Sequence, residues 1–381
     1  MVRLLNTEDF RTKARKYLPK GLFEYIDRGT EAELVMADIR QSLDRIKFRQ
    51  SVLTGNEAFD LSTTLFDQTY PAPLIIAPTA LAGLVAHAGE AKLARAAGRL
   101  GIPFCVSTQS VTSIEDIRKS APEADLWFQL YVWKNRDLTW ELLERAARAG
   151  ATTIVITADT PLSPKRDYNQ HNGFSVPFVP TLRGICDVLS RPTWLSAVMM
   201  RYLITSGMPT YAHYPAAFQT AITRLAIAED VKIESSLCWD DLDEIRARWR
   251  GNIVIKGVLS VEDSQRAVKI GADGIVVSAH GGRNFDMAPT PVDVLPAIVE
   301  AVGDKIAIMA DSGIRRGSDA LKYLALGGRS VLVGRLPLYG LAAGGEQGAY
   351  DVLSMLIDEM HSNLVFAGAS SLEAFKKNAI A

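Results

Sequence analysis

The stretch SAHGGRNFD, Ser278 to Asp286, continues the apolar run GIVVS that ends at Ser278. Histidine takes up a proton near neutrality, which suits His280 to the role of general base. Two glycines after it let the chain reverse sharply, so that Arg283 can point back into the same space. A guanidinium fork is the natural partner of a carboxylate. A lone histidine at a strand end caps a helix or bonds a carbonyl just as well, and it is the combination with Gly-Gly-Arg that favours chemistry. A second cluster, TADTPLSPKRD from Thr157 to Asp167, also closes an apolar run. Asp159 beside His280 is expected to raise the proton affinity of the imidazole and to stabilise the imidazolium. Arg166 would add a second cation for the same carboxylate, although on its own the cluster also fits a surface loop with a Lys-Arg pair.

These residues need a frame. Short apolar runs recur along the chain: LIIAP ending at Pro78, FCVS at Ser107, WFQLY at Tyr131, TIVIT at Thr157, NIVIK at Lys256, GIVVS at Ser278, AIMAD at Asp311 and SVLVG at Gly334. Between most of them lie amphipathic stretches such as GEAKLARAAGRLG and LTWELLERAARAG, which end at glycine as helix C-termini prefer. Buried parallel strands alternating with helices predict an α/β fold, a (β/α)₈ TIM barrel. In such a barrel the catalytic groups stand at the C-terminal ends of the strands. Lys256, at one such end, suits the flavin edge on which negative charge builds up during reduction. It equally suits a Schiff-base aldolase, which needs a barrel lysine of lowered pKa. Asp311 to Arg316, DSGIRR, and Val333 to Arg335, VGR, follow the last two strands, where barrels bind phosphate. Gly313 and Gly334 permit close backbone approach there, and Arg315 and Arg335 bring charge.

Residues 7 to 29 read as two short helices separated by Pro19. The interval from Thr157 to Asn252 is far too long for one βα unit, so an insertion follows the fourth strand, placed at residues 174–233 of a single 1–381 domain. It contains FVPTLRGICDVLSRPTWLSAVMMRYLITSG, with Arg183, Arg191 and Arg201 among the apolar residues. A lid over the active site and a membrane-surface patch both fit this composition.

The formal net charge of −1, with acids and bases mixed throughout, argues against nucleic acid as a partner. Cys105, Cys186 and Cys238 lack metal-like spacing and are expected to be reduced, structural thiols, with no metal bound. No signal-like or spanning apolar segment is visible in the sequence. A cytoplasmic protein is expected, with peripheral contact at the inner face of the cell membrane through the insertion.

Taken in order, the motifs resemble the FMN-dependent L-2-hydroxy acid oxidase and dehydrogenase family, from LPKGLFEYID at Leu18 to LYGLAAGGEQG at Leu338. The resemblance implies that His280 is the base and Asp159 its partner, and that Arg283 and Arg166 hold the substrate carboxylate. Tyr25 and Tyr131 would contact the carboxylate and hydroxyl. It also implies that Pro78, Thr79, Ala80, Ser107, Gln129, Thr157, Lys256 and Ser278 line the flavin ring and ribityl chain. Asp311, Gly313, Arg315, Gly334 and Arg335 would hold ribityl and phosphate. The long insertion is similar to that of the membrane-associated lactate and mandelate dehydrogenases, which implies a mandelate-like or lactate-like substrate, a membrane quinone as acceptor and a homo-tetramer.

Ala80, more typical of the oxidases, points instead to oxygen and hydrogen peroxide. Ala279, Asn284 and Arg28 depart from the family pattern. Gln109 stands near where glycolate oxidase has a tryptophan, which predicts a pocket without that aromatic wall. The Schiff-base aldolase and a non-catalytic membrane scaffold are the readings from other classes.

Overall fold

The computed structural model describes residues 4–57, 59–174, 181–219 and 228–381. A hairpin of β1 (Thr63–Leu65) and β2 (Gln68–Tyr70) precedes eight parallel strands. These are β3 (Leu74–Ile76), β4 (Phe104–Ser107), β5 (Leu126–Leu130), β6 (Thr153–Thr157), β7 (Asn252–Val258), β8 (Gly274–Val277), β9 (Ala307–Ala310) and β10 (Ser330–Val333). They close in sequence order, with β10 pairing β3, into the barrel expected. Because both faces of each strand are covered, β4, β5, β6, β8, β9 and β10 are buried along their whole length. Inside the barrel, Ile75, Cys105, Trp127, Val155, Val254, Val276, Met309 and Leu332 form one cluster. The β1–β2 hairpin closes its bottom, with Leu65 and Tyr70 in that cluster and Phe66 packed on it.

Register decides what meets at the mouth. Ser107 pairs with Gln129, and Thr157 with Lys256, so polar side chains from adjacent strands stand side by side. Between Lys256 and Val258 the register of β7 against β8 shifts by a bulge. The residue in the bulge, Gly257, has φ +106°, and a Cβ there would lie 2.5 Å from Cβ of Asp159. Only a bare backbone lets the β6 carboxylate lie against β7.

Helices α1 (Thr7–Tyr17) and α2 (Lys20–Asp27) match the N-terminal expectation, and a third, α3 (Leu34–Arg45), follows them. The last long helix, Arg335–Ala367, breaks at Gly344 and Gly345. The insertion holds helix Leu182–Leu189, then a helical stretch from Pro192 to Thr205 with a π turn in its middle. Residues 175–180 and 220–227 of the expected insertion lie outside the described residues.

Trp194, Val198 and Tyr202 are buried on the inner face of the second stretch, where Trp194 Nε1 donates to Leu84 O at 2.7 Å. Its outer face leaves Met200, Leu203 and Ile204 exposed, and helix Leu182–Leu189 exposes Leu182, Ile185 and Leu189. Arg183 and Arg191 instead donate to main-chain oxygens, of His171 and Leu18. Of the three expected arginines, therefore, Arg201 is the one left without a backbone partner of this kind. Among the described residues no helix is long and apolar enough to cross a membrane. All three cysteines are free thiols; Cys105 is buried in the barrel, whereas Cys186 and Cys238 are exposed.

Candidate active site

Of the residues expected to act on substrate or hold the flavin, all but Asp159 and Ser278 line one cavity of about 1240 Å³ at the C-terminal mouth of the barrel. Those two stand directly behind it. Asp159 Oδ1 lies 2.8 Å from His280 Nδ1. Ser278 Oγ accepts from Lys256 Nζ at 2.7 Å and from His280 N at 3.0 Å, so Ser278 supports the wall where it was expected to form it.

His280 sits in the left-handed region, φ +52°, a conformation a non-glycine residue keeps only when its neighbours enforce it. Ser312 does this. Its hydroxyl accepts from the N–H groups of Ala279 at 3.3 Å and Gly281 at 3.0 Å, one on each side of His280, and donates to Asp311 Oδ1 at 2.7 Å. Asn284 fastens the other strand end, donating to Asp159 O at 2.9 Å and Thr160 Oγ1 at 2.8 Å. Sequence reasoning missed Ser312, although it sits inside the DSGIRR motif, and noticed Asn284 only as a departure from the family pattern.

Burial pushes the imidazole of His280 below its ordinary value, and the Lys256 charge adds to this. The opposing pull of Asp159 does not offset the two. The expected rise in proton affinity is thus present as a contribution and outweighed in sum. Burial alone would raise the Asp159 carboxyl, but the charges of His280 and Lys256 hold it at about 2, ionised near neutrality. An ionised Asp159 requires the proton on Nδ1, which leaves the lone pair of His280 on Nε2. The neutral ring is ready to accept a proton there.

Lys256 is the reverse case. Burial would lower it, but Asp311, 3.0 Å away, and Asp159 raise it above its usual value. A lysine held charged is the opposite of what Schiff-base chemistry needs.

Arg283 and Arg166 lie over the ring of Tyr25, their guanidinium carbons 4.9 and 5.3 Å from its centre. Burial, with Arg166 alongside, lowers Arg283 to about 10, and among the described residues neither of these two cations forms an ion pair with a carboxylate. Such a pair is built for an anionic guest. The main-chain oxygens of Tyr25 and Arg28, at the end of α2, accept from Arg283, and those of Ile26 and Arg28 accept from Arg335. Burial raises Tyr131 to about 12, which keeps its hydroxyl a donor.

The opposite lobe suits a flat, polar, phosphorylated group. Gln129 Nε2, on β5, is buried without a partner, and the buried Lys256, on β7, lines the same cavity. Gly313, φ +76°, has no room for a Cβ, which would lie 2.4 Å from Ile39 Cγ2. Arg315 borders the same lobe, and Gly334 precedes the unpaired N–H groups that open the last long helix. Among the described residues no cluster of metal ligands occurs.

The pattern of FMN-dependent dehydrogenases matches residues 14–381. An L-lactate dehydrogenase of Caulobacter vibrioides (strain NA1000 / CB15N) is 40% identical over 99% of this chain and 97% of its own length. One of Pseudomonas paraeruginosa (strain DSM 24068 / PA7) is 42% identical over 96% of this chain and 94% of its own. Among solved structures, the monotopic membrane protein (S)-mandelate dehydrogenase superimposes with a TM-score of 0.93 at 34% identity, over 100% of this chain and 99% of that one. A mandelate oxidase with (S)-mandelic acid gives 0.82 at 30% identity, over 98% of each chain.

Proposed function

Because the chain belongs to the family of FMN-dependent dehydrogenases, we propose that this cavity oxidises a mandelate-like or lactate-like L-2-hydroxy acid to its 2-keto acid and that the electrons pass on to a membrane quinone. The observation that carries the reading is the neutral His280, with Nε2 free and Asp159 at its back, in the same cavity as Arg283 and Arg166, which among the described residues form no ion pair with a carboxylate. The residues of the polar lobe fit FMN, with Gln129 and Lys256 for the ring edge and Gly313, Arg315, Gly334 and Arg335 for ribityl and phosphate. When bound, FMN supplies the two-electron acceptor.

The protein's own residues do the rest. Arg283 and Arg166 fix the substrate carboxylate, and Tyr25 and Tyr131 orient carboxylate and hydroxyl. His280 Nε2 takes the proton that leaves the substrate, and Asp159 stabilises the imidazolium so formed. Lys256 offers a fixed positive charge where negative charge accumulates. Asp311 and Ser278 hold that ammonium in place.

The exposed apolar residues on the outer side of the insertion support peripheral contact with a lipid surface, and with it a membrane-held acceptor. Ala80, on the cavity wall, favours the second reading, in which oxygen is the acceptor and peroxide the product. Anaerobic mixing of the flavin-loaded protein with L-lactate and (S)-mandelate is expected to bleach the flavin absorbance, and no bleaching with either defeats the proposal. Reoxidation by a soluble quinone with little peroxide in air is the result expected for the acceptor, and stoichiometric peroxide would reverse that assignment.

A further inference from the structure

Resting on the hydroxy acid reading above, we infer that Tyr211 and Tyr214 determine specificity: the insertion supplies an aromatic wall for the substrate's side chain and favours phenyl-sized L-2-hydroxy acids over lactate. Both tyrosines line the cavity and are nearly buried, 6% and 4% exposed. Their rings stack at 5.0 Å between centres and 30° between planes, and Trp133 meets Tyr214 edge-on at 5.2 Å. Gln109 partly offsets the burial that raises the Tyr214 hydroxyl, so the position that lacks an aromatic side chain lies beside one brought from elsewhere in the chain. On its other side Tyr211 lies close enough to Tyr25, in the substrate lobe, for that phenol to add to the burial that raises the Tyr211 hydroxyl.

The wall is rigid because the residues between the tyrosines are pinned to the barrel. His213 is buried facing away from it, its Nε2 accepting from Ile114 N at 2.9 Å and its Nδ1 lying 3.2 Å from Thr108 O. Phe128 on β5 meets its ring edge-on at 5.1 Å. Ala212 N donates to Ser110 O at 3.0 Å, and Arg145 NH1 donates to His213 O at 3.0 Å. A preorganised aromatic surface rewards a flat ring with offset or edge contacts, whereas a methyl group is too short to collect them.

The test is anaerobic flavin reduction by (S)-mandelate and L-lactate in the flavin-loaded parent, Tyr211→Leu, Tyr214→Leu and Tyr211→Phe. The mandelate-to-lactate ratio of kcat/KM is expected to fall on the order of tenfold in each leucine variant, through KM for mandelate, and to be kept by Tyr211→Phe. Titration of the bound-flavin spectrum with benzoylformate and pyruvate gives a readout without turnover, in which the leucine variants lose the preference for the aromatic keto acid. A parent bleached by both acids whose leucine variants keep the ratio overturns the wall alone. A parent bleached by neither overturns the hydroxy acid reading itself.

Discussion

His280 combines a backbone held in the left-handed region with an imidazole whose proton affinity burial has reduced. A base works when deprotonated, so a lowered value moves the acid limb of kcat/KM downward. The limb is expected below the ordinary histidine value of about 6.5, with the rate level from there through neutrality. A limb above pH 7 would contradict this. Asp159→Asn removes the larger of the two charges that raise the imidazole, so the limb shifts further down while the reduction rate falls. His280→Gln is expected to slow flavin reduction on the order of 10²- to 10⁴-fold with flavin content unchanged, read by stopped flow. These two residues were legible because their motifs close apolar runs. Ser312 was not, since a hydroxyl that accepts from two backbone N–H groups has no signature in sequence. The net direction of the His280 shift was hidden for a related reason, because burial and the distance to Lys256 exist only in the folded barrel.

At the level of elements, the eight strands could be read from their apolar runs, but the bulge in β7 could not. The positive φ of Gly257 and its contact with Asp159 emerge only when β7 is paired with β6 and β8. Gly257→Ala places a Cβ where the Asp159 side chain lies. It is expected to cost about 1–3 kcal/mol, from the strained φ and the contact together, and to loosen the Asp159–His280 pair. Urea midpoints and the flavin reduction rate measure the two effects, and an alanine variant equal to the parent in both would refute the contact. The hairpin that closes the barrel bottom also escaped the reading, because strands as short as β1 and β2 carry too few residues to show a period. The insertion was located by its length, whereas its division into an outward apolar surface and an inward wall depends on packing. For that reason Gln109 suggested a pocket without an aromatic side, and Tyr211 and Tyr214 were found only in the structure.

Across the whole molecule, pieces distant in sequence are tied together at the mouth. His213 links the insertion to the loops after β4, and burial, with the charge of Arg145, lowers it to about 4. Its value when unfolded lies near 6.5, so the neutral ring favours the folded state above that pH. The contribution is lost as the pH falls from about 6.5 toward 4, and amounts to on the order of 3 kcal/mol. Denaturation midpoints of the parent should therefore fall more steeply over this window than those of His213→Gln, and parallel curves would contradict the linkage. The other tie joins α2 to the barrel, its last carbonyls holding Arg283 and Arg335. A guanidinium already immobilised by main-chain oxygens, as in Arg283 and Arg335, loses little rotamer freedom when an anion arrives. The carboxylate clamp proposed for Arg283 and Arg166, however, would recognise a group that oxidation leaves untouched. Acid and keto acid present it with the same anion, so it stabilises bound substrate and bound product alike and lowers no barrier between them. An accumulating 2-keto acid then competes for the cavity on nearly equal terms, a brake on turnover that needs no second site.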